Sequence, residues 1–489
     1  MADISSTLLA FPPDNIATFT PEKYDKGITT HIKELEKLPP STWMKPVDKK
    51  NVLDLLNPQV NTLPYLFGLV VQSKQVGKDR RQVEAMMSRA VHFFENFDRV
   101  QARYALDRWT GLLIWLFELM EQSNVADFRP ITTALLRLDP TGGTFTSWHL
   151  RLLRACLVAG VPSHVLPLLN KTIYAFPQPV ITSLPKDLMS EDLELSNAFI
   201  NVKAPLSYQI RPEWVLEYYL LGAQIYIGYG DYARARLFFA HVLLTPSQQH
   251  AYSALQVEAY KKWLMIGLLS QGKLYPQPRT MDQTVMKSIR ALARSYEALT
   301  DCFETRNTRK FHAEVDAGAP IWSDDGNSRL VRDVGAALYR QLVFDLQKTY
   351  AVLPVGRVAQ ILGWSISDTS CMLTDMIEGR TLDANIASVG TNPGDAVLTF
   401  HDSTPAVATA ATQDDDIEAQ TKRIENLVTY MRDADRRLQL TKEYIEHAKR
   451  MKRNGEAPGA ELDEEMDLTW EGTAGVGESF AADEDIMAP

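Results

Sequence analysis

Residues 214–246 read WVLEYYLLGAQIYIGYGDYARARLFFAHVLLTP, and that spacing leaves few folds open. Tyr219, Ala223 and Tyr226 recur at three- and four-residue intervals, so they share one face of a helix. Gly228, Gly230 and Asp231 mark a turn, and Tyr232, Ala235, Phe239 and Val242 define a second helical face. Ala223 and Ala235 are small enough to let the two helices approach, and the aromatics fill the space above and below them. Such a hairpin cannot bury its apolar face alone and must stack on neighbours. Pro246 ends the second helix, because proline has no backbone N–H and clashes with the preceding turn. A third helix is expected from near Gln248 to Gly272, with Ala254, Val257, Tyr260 and Leu264 on its stripe.

Stacked hairpins of this tetratricopeptide-like kind grow by repetition, and 489 residues give room for an extended array. Cys156, Cys302 and Cys371 are scattered and odd in number, so they build neither a disulfide framework nor a four-cysteine metal site. That usage points to a reducing compartment, cytosol or nucleus. No cleavable signal is expected, since Asp3 sits where a positive region belongs and Lys23 is the first basic residue. The longest uncharged apolar run, residues 109–117, is about half the ~20 residues a membrane-spanning helix needs. No membrane partner is expected.

The net charge of −10 is concentrated at one end. Residues 454–489 hold eleven acidic side chains and no Lys or Arg, so the remainder carries 50 acidic against 51 basic. Those terminal residues are expected to be disordered. A neutral body offers no general attraction to nucleic acid.

Helical patterns recur along the chain. After a Pro-rich extension over 1–50, with one helix at 24–38, amphipathic or apolar segments occur at 80–97, 104–121, 131–138 and 145–159. Val83, Met87, Val91 and Phe94 form the stripe of the first. Residues 176–212 read as a long loop, and one helix is expected from Met281 to about Phe303. The pattern changes after 324–327. Val331, Val334, Leu338, Leu342 and Leu346 make a helix face. A short helix over 354–362 buries Val358 and Ile361 and stops at Gly363. A third, opened by Ser367-x-x-Ser370, carries Cys371, Leu373, Met376 and Ile377. Two strand-like pieces follow at 382–387 and 396–401. Three helices and a two-stranded hairpin form a winged helix.

Motifs that imitate chemistry lack their context. Gly267, Gly272 and Lys273 match the spacing of a phosphate-binding loop. However, Leu274 stands where a Ser or Thr hydroxyl is needed, and a helix precedes the loop. Gly272 therefore reads as a helix cap. Gly228-x-Gly230-x-x-Ala233 follows a helix, not the strand a dinucleotide site requires. The nine histidines include no HxH or HExxH pair. No catalytic, cofactor-binding or metal-binding residue is expected. The winged helix raises nucleic-acid recognition as a rival function. Its reading helix, 367–378, carries Asp368, Asp375 and Glu378 and no basic residue, so a DNA groove would repel it. Protein contact through the hairpin edge is the better expectation.

Residues 417–453 read as one terminal helix, about 55 Å long at 1.5 Å per residue. Ile417, Ile424, Met431, Leu438 and Ile445 are spaced by seven, with Leu427, Ala434 and Ala448 three positions on, a coiled-coil seam. Such a helix is longer than a cap on a winged helix requires, so part of the seam should meet other chains.

Helical hairpins feeding a winged helix and a long terminal helix resemble the PCI family, shared by the proteasome lid, the COP9 signalosome and a translation initiation factor. The block YYLLGAQIYIGYGDYARARLFF, Thr245-Pro246, Glu258-Ala-Tyr-Lys-Lys262 and Gly272-Lys273 are similar to the third-subunit branch of the signalosome. So are Met376-Ile-Glu378, Ile386 and Thr399-Phe-His-Asp402. The resemblance covers about residues 130–450. It implies a non-catalytic scaffold subunit of the assembly that removes a ubiquitin-like modifier from cullin-RING ligases, met only indirectly, in cytoplasm and nucleus. The zinc-binding His-x-His of the family's catalytic subunit is absent here. A lid or initiation-factor subunit is the alternative. PCI proteins associate through winged-helix edges and a bundle of terminal helices. The implied contact residues are Val397 and Phe400 on the hairpin, and Ile424, Leu427, Met431, Leu438 and Ile445 on the helix. The expected segments are a partly disordered extension (1–50), a helical-repeat solenoid (51–327), a winged-helix part (328–402), a bundle helix (417–453) and the acidic tail (454–489).

Overall fold

The computed structural model describes the chain outside residues 1–5, 14–18, 45–50, 76–79, 124–125, 178–188, 191–195, 197–198, 247–250, 279, 380, 388–395, 402–419, scattered positions between 422 and 440, and 455–489. Its packing divides into two units, residues 1–182 with 186–422, and 183–185 with 423–489. The chain is mostly α-helical, a tetratricopeptide-like solenoid leading into a winged helix.

The solenoid begins with α1 (Pro21–Lys37), whose N-cap Thr20 accepts from the Lys23 N–H and whose Pro21 suits the first turn. It buries Ile28, His31 and Leu35 in the core that also takes up Leu8, Phe11 and Trp43, so no break in packing marks residue 51. Then come α2 (Thr62–Ser73), α3 (Arg80–Asn96), α4 (Leu106–Gln122), α5 (Arg129–Leu138) and α6 (Ser147–Val158). Helix α3 turns its deep face through Met86, Ala90, Phe93 and Phe94. The expected Val83, Met87 and Val91 are half-buried, one residue round from that line.

The hairpin is α7 (Pro212–Gly228) and α8 (Tyr232–Leu244), packed along each other and against α6 and α9 (Ala254–Gln271). Ala223 and Ala235 are fully buried, as are Phe239 and Val242. Gly222 is the closer approach: a Cβ there would stand 2.7 Å from the Phe238 ring and 3.0 Å from Leu169. Gly230, at φ 77°, makes the turn, and Asp231 caps α8 by accepting from the Arg234 N–H. Helix α9 starts at Ala254, not near Gln248, because Ser253 and Gln256 form a reciprocal capping box there. Gly272, at φ 65°, ends it as a left-handed cap. The single helix expected over 281–303 is two, α10 (Gln283–Leu292) and α11 (Arg294–Glu304). Between them Ala293 leaves helical geometry while its N–H bonds back to Ile289 and Arg290.

After α12 (Thr308–Ala317), helix α13 (Ser328–Gln347) belongs to two cores. Val331, Val334 and Leu338 close the solenoid core, and Tyr339 and Val343 open that of the winged helix. The latter holds β1 (Val352–Pro354), α14 (Val355–Leu362), α15 (Ile366–Glu378), β2 (Ala384–Ala387) and β3 (Val397–Phe400). Val358 and Leu362 are buried in it, whereas Ile361, expected inside, is 44% exposed on the opposite face of α14.

In the second unit the described residues between 424 and 439 are helical, and α16 (Lys442–Asn454) follows. One continuous helix over 417–453 was expected, but Thr441 bends the chain. Its hydroxyl donates to the Leu438 carbonyl and accepts from the Tyr444 N–H, capping a new start. Residues 417–419 lie outside the described residues.

Candidate functional site

The hairpin contact residues sit differently from expectation. The sheet order is β1-β3-β2, antiparallel throughout, with Val352 opposite Thr399 and Ala384 opposite Phe400. β3 is therefore the central strand, and its backbone is paired on both sides. Val397 lies half-buried between Pro354 and Ala387. Phe400 is only 7% exposed and points into the core with Leu353, Leu373 and Met376. The free edges are β1 and β2. Val352 is 53% exposed on the first, with Tyr350 at 44% just before it. The third strand was missed because three residues ending in proline carry no alternating pattern to read.

Helix α15 is capped by Ser365, not Ser367: the Asp368 N–H donates to its hydroxyl at 3.1 Å, and that hydroxyl donates to the Asp368 carboxylate at 2.7 Å. Leu373 and Met376 face the core and Cys371 is exposed. Its outer face carries Asp368, Asp375 and Glu378 with no cation, a poor match to phosphates.

The seam residues of the terminal segment lie in the open. Ile424 is 62% exposed, Leu427 59%, Met431 62% and Leu438 54%. Val428, at 40%, joins them and was not anticipated, although it stands four residues after Ile424. Ala434 is exposed too. Beyond the bend, Ile445 and Ala448 are half-buried on α16.

Elsewhere the ionisable groups are arranged for structure. Burial pushes the Cys156 thiol up to about 12, which removes it as a nucleophile. His149 is pushed down to about 4 by burial, and its Nδ1 accepts from the Thr146 N–H at 3.0 Å inside a capping box. No group of three or more His, Cys, Asp or Glu that would hold a metal occurs among the described residues. A cavity of about 690 Å³ lies among α4, α6 and Trp214. Its apolar wall includes Trp148, Leu206 and the 91% exposed Val158. Its two cations are engaged, Arg154 with Glu217 at 2.5 Å and Arg151 with Glu118 at 3.6 Å. Among the described residues its lining offers one carboxylate, Glu121, and no His, Lys or Cys. Among the described residues no helix is long and apolar enough to cross a membrane.

Comparison with known proteins gives a consistent answer. A family model described as COP9 signalosome complex subunit 3, N-terminal helical repeats, matches residues 40–285. A protein of Emericella nidulans named COP9 signalosome complex subunit 3 is 28% identical over 372 residues, 74% of each chain. Its namesake in Neurospora crassa is 26% identical over 463 residues, 90% of each chain.

Proposed function

Since the chain belongs to the COP9 signalosome complex subunit 3 family, we propose that it is a non-catalytic scaffold subunit of that assembly. On this proposal the complex removes the ubiquitin-like modifier from cullin-RING ligases, which this subunit meets only through its neighbours, in cytoplasm and nucleus. The proteasome-lid and initiation-factor alternatives are not favoured, because both relatives bear signalosome names. A nucleic-acid role is opposed by the acidic outer face of α15.

The observation behind the proposal is the row of apolar side chains at Ile424, Leu427, Val428, Met431 and Leu438, each 40–62% exposed. Such a row left in water is costly, and a seam spaced by seven is answered by another helix. Ile445 is assigned the same role on α16. The wing is assigned to strand addition at the outer edge of β2, with Val397 and Phe400 supporting that edge from β3. The test is to charge the seam with Met431→Asp and Leu438→Asp together. The variant should fold normally but fail to co-purify with the other subunits. Undiminished co-purification would overturn the proposal.

A further inference from the structure

One face of α6 looks into a cavity from end to end. Ser147, Arg151, Ala155 and Val158 follow one another at helical spacing, over about 16 Å at 1.5 Å per residue, and all line the 690 Å³ groove. Leu206 and Tyr208 add a further wall, in a segment pinned to α6. There the Ser147 N–H donates to Ser207 Oγ at 3.0 Å, and the Tyr208 N–H donates to Ser147 Oγ at 3.3 Å. That volume, with an apolar lining and a few polar groups, is the make-up of a small-molecule site. Two of the polar groups are unfilled. The Thr110 hydroxyl is buried and has no hydrogen-bond partner among the described residues. The Arg151 guanidinium rests over the Phe117 and Trp148 rings, 4.4 and 5.1 Å from their centroids, with its side chain 32% exposed. The carboxylate paired with it, that of Glu118, is 3.6 Å away, too far for a hydrogen bond. None of its five N–H donors therefore has an acceptor among the described residues.

The unfilled groups call for an anion on a hydrocarbon body. Arg154 is already filled by Glu217, through bonds of 2.7 and 2.5 Å, and Glu121 stands exposed to water at the end of α4. A guanidinium fork two-thirds buried and fixed on two rings is set for a bidentate carboxylate. An extended peptide would bring an N–H and a C=O per residue to walls that offer few partners, so an occupant poor in polar groups fits better. We infer that this groove binds a small aliphatic carboxylic acid, its carboxylate on Arg151 and its chain against Ala155 and Val158. The Thr110 hydroxyl offers one further hydrogen bond. The site stands apart from the terminal seam and does not depend on the assembly role proposed above.

The probes are decanoate, decanol and decylamine, alike in chain and different in head group, titrated calorimetrically against the full chain. Decanoate should bind at least about tenfold more tightly than decanol, the scale of a charge-assisted hydrogen bond, and decylamine no more tightly than decanol. Arg151→Met keeps a stem over the two rings and loses the fork, so it should bring decanoate down to the level of decanol. Val158→Trp fills the groove from a position 91% exposed, where bulk does not disturb the core, and should weaken decanoate and decanol alike. That second variant keeps the test decisive should the Arg151 variant fail to fold. Equal binding of decanoate and decanol overturns the inference, as does tighter binding of decylamine or no decanoate binding up to about 1 mM. So does decanoate binding that neither substitution changes, because the acid would then sit elsewhere on the chain.

Discussion

The ammonium of Lys262 donates a 2.7 Å hydrogen bond to Oδ1 of Asn327, joining α9 to the residue that starts α13. Asn327 is 2% exposed, and its Nδ2 donates in turn to the Tyr296 hydroxyl at 2.9 Å and to Glu258 at 3.3 Å. Lys262 also reaches Glu258, one turn before it on α9, and Lys261 pairs with Asp325 at 2.7 Å. This buried network fixes where the solenoid hands over to the helix shared with the winged helix.

Asn327→Ala should therefore cost about 1–3 kcal/mol, since it leaves a buried ammonium and the Tyr296 hydroxyl each short of a partner. Urea unfolding followed by circular dichroism measures it. An unchanged midpoint would mean that water satisfies both groups and that the network does not hold the junction.

Gly222 sits where α7 passes closest to α8. Gly222→Val puts atoms inside contact distance of the buried Phe238 ring and Leu169 side chain, which must shift to admit them. The expected loss is about 1–3 kcal/mol from overpacking. Gly228→Ala, where nothing lies within 4 Å of the added carbon, is the control and should be close to neutral.

The two residues of β3 should behave oppositely. Phe400→Ala removes a ring from the small winged-helix core and should cost about 3–5 kcal/mol, with partner binding lost only because the sheet is lost. Val397→Thr, half-buried between two strands, should cost about 1 kcal/mol or less. Thermal scans of both variants, set beside co-purification, separate support of an edge from contact across it. Stable Phe400→Ala protein that fails to bind would restore Phe400 as a direct contact.

What the sequence disclosed is what repeats with a period. Tyr219, Ala223, Ala235 and Phe239 announced the hairpin, and Leu427, Met431 and Leu438 announced the exposed seam, because helical spacing is a local signal. What it hid depended on neighbours distant in the chain. β1 becomes a strand only because Thr399 and Val397 lie opposite it, so the hairpin expected to have a free edge on β3 gained a third member. Gly222 looks like an ordinary helix glycine until Phe238 and Leu169 close on it. Thr441 resembles any polar helix residue, and only its two hydrogen bonds reveal a break. The family resemblance, by contrast, was legible in runs of adjacent residues. The 40–285 family match contains the most telling of those runs.

The acid limb of stability should report on His149. Its ring is packed beside Phe145 and Tyr218, with Nε2 buried and unpartnered among the described residues, while Nδ1 accepts from the Thr146 N–H. An Nδ1 that accepts leaves the proton of the neutral ring on Nε2, so a second proton has no site without breaking the cap. Burial holds the folded pKa near 4 against an ordinary 6.5. Because the folded value is depressed, the unfolded chain takes up the proton first. The contribution is complete above pH 6.5, falls away as the pH drops towards 4, and is then lost. The full window corresponds to roughly 3 kcal/mol. His31, also shifted down by burial, adds a loss of the same sign, so the measurement is a difference between variants. His149→Gln retains an acceptor for the Thr146 N–H but cannot titrate. Its urea midpoint should be lower than that of the parent at pH 8 and should converge on it by pH 4.5, and a constant gap across that range would show that His149 is not the group that responds.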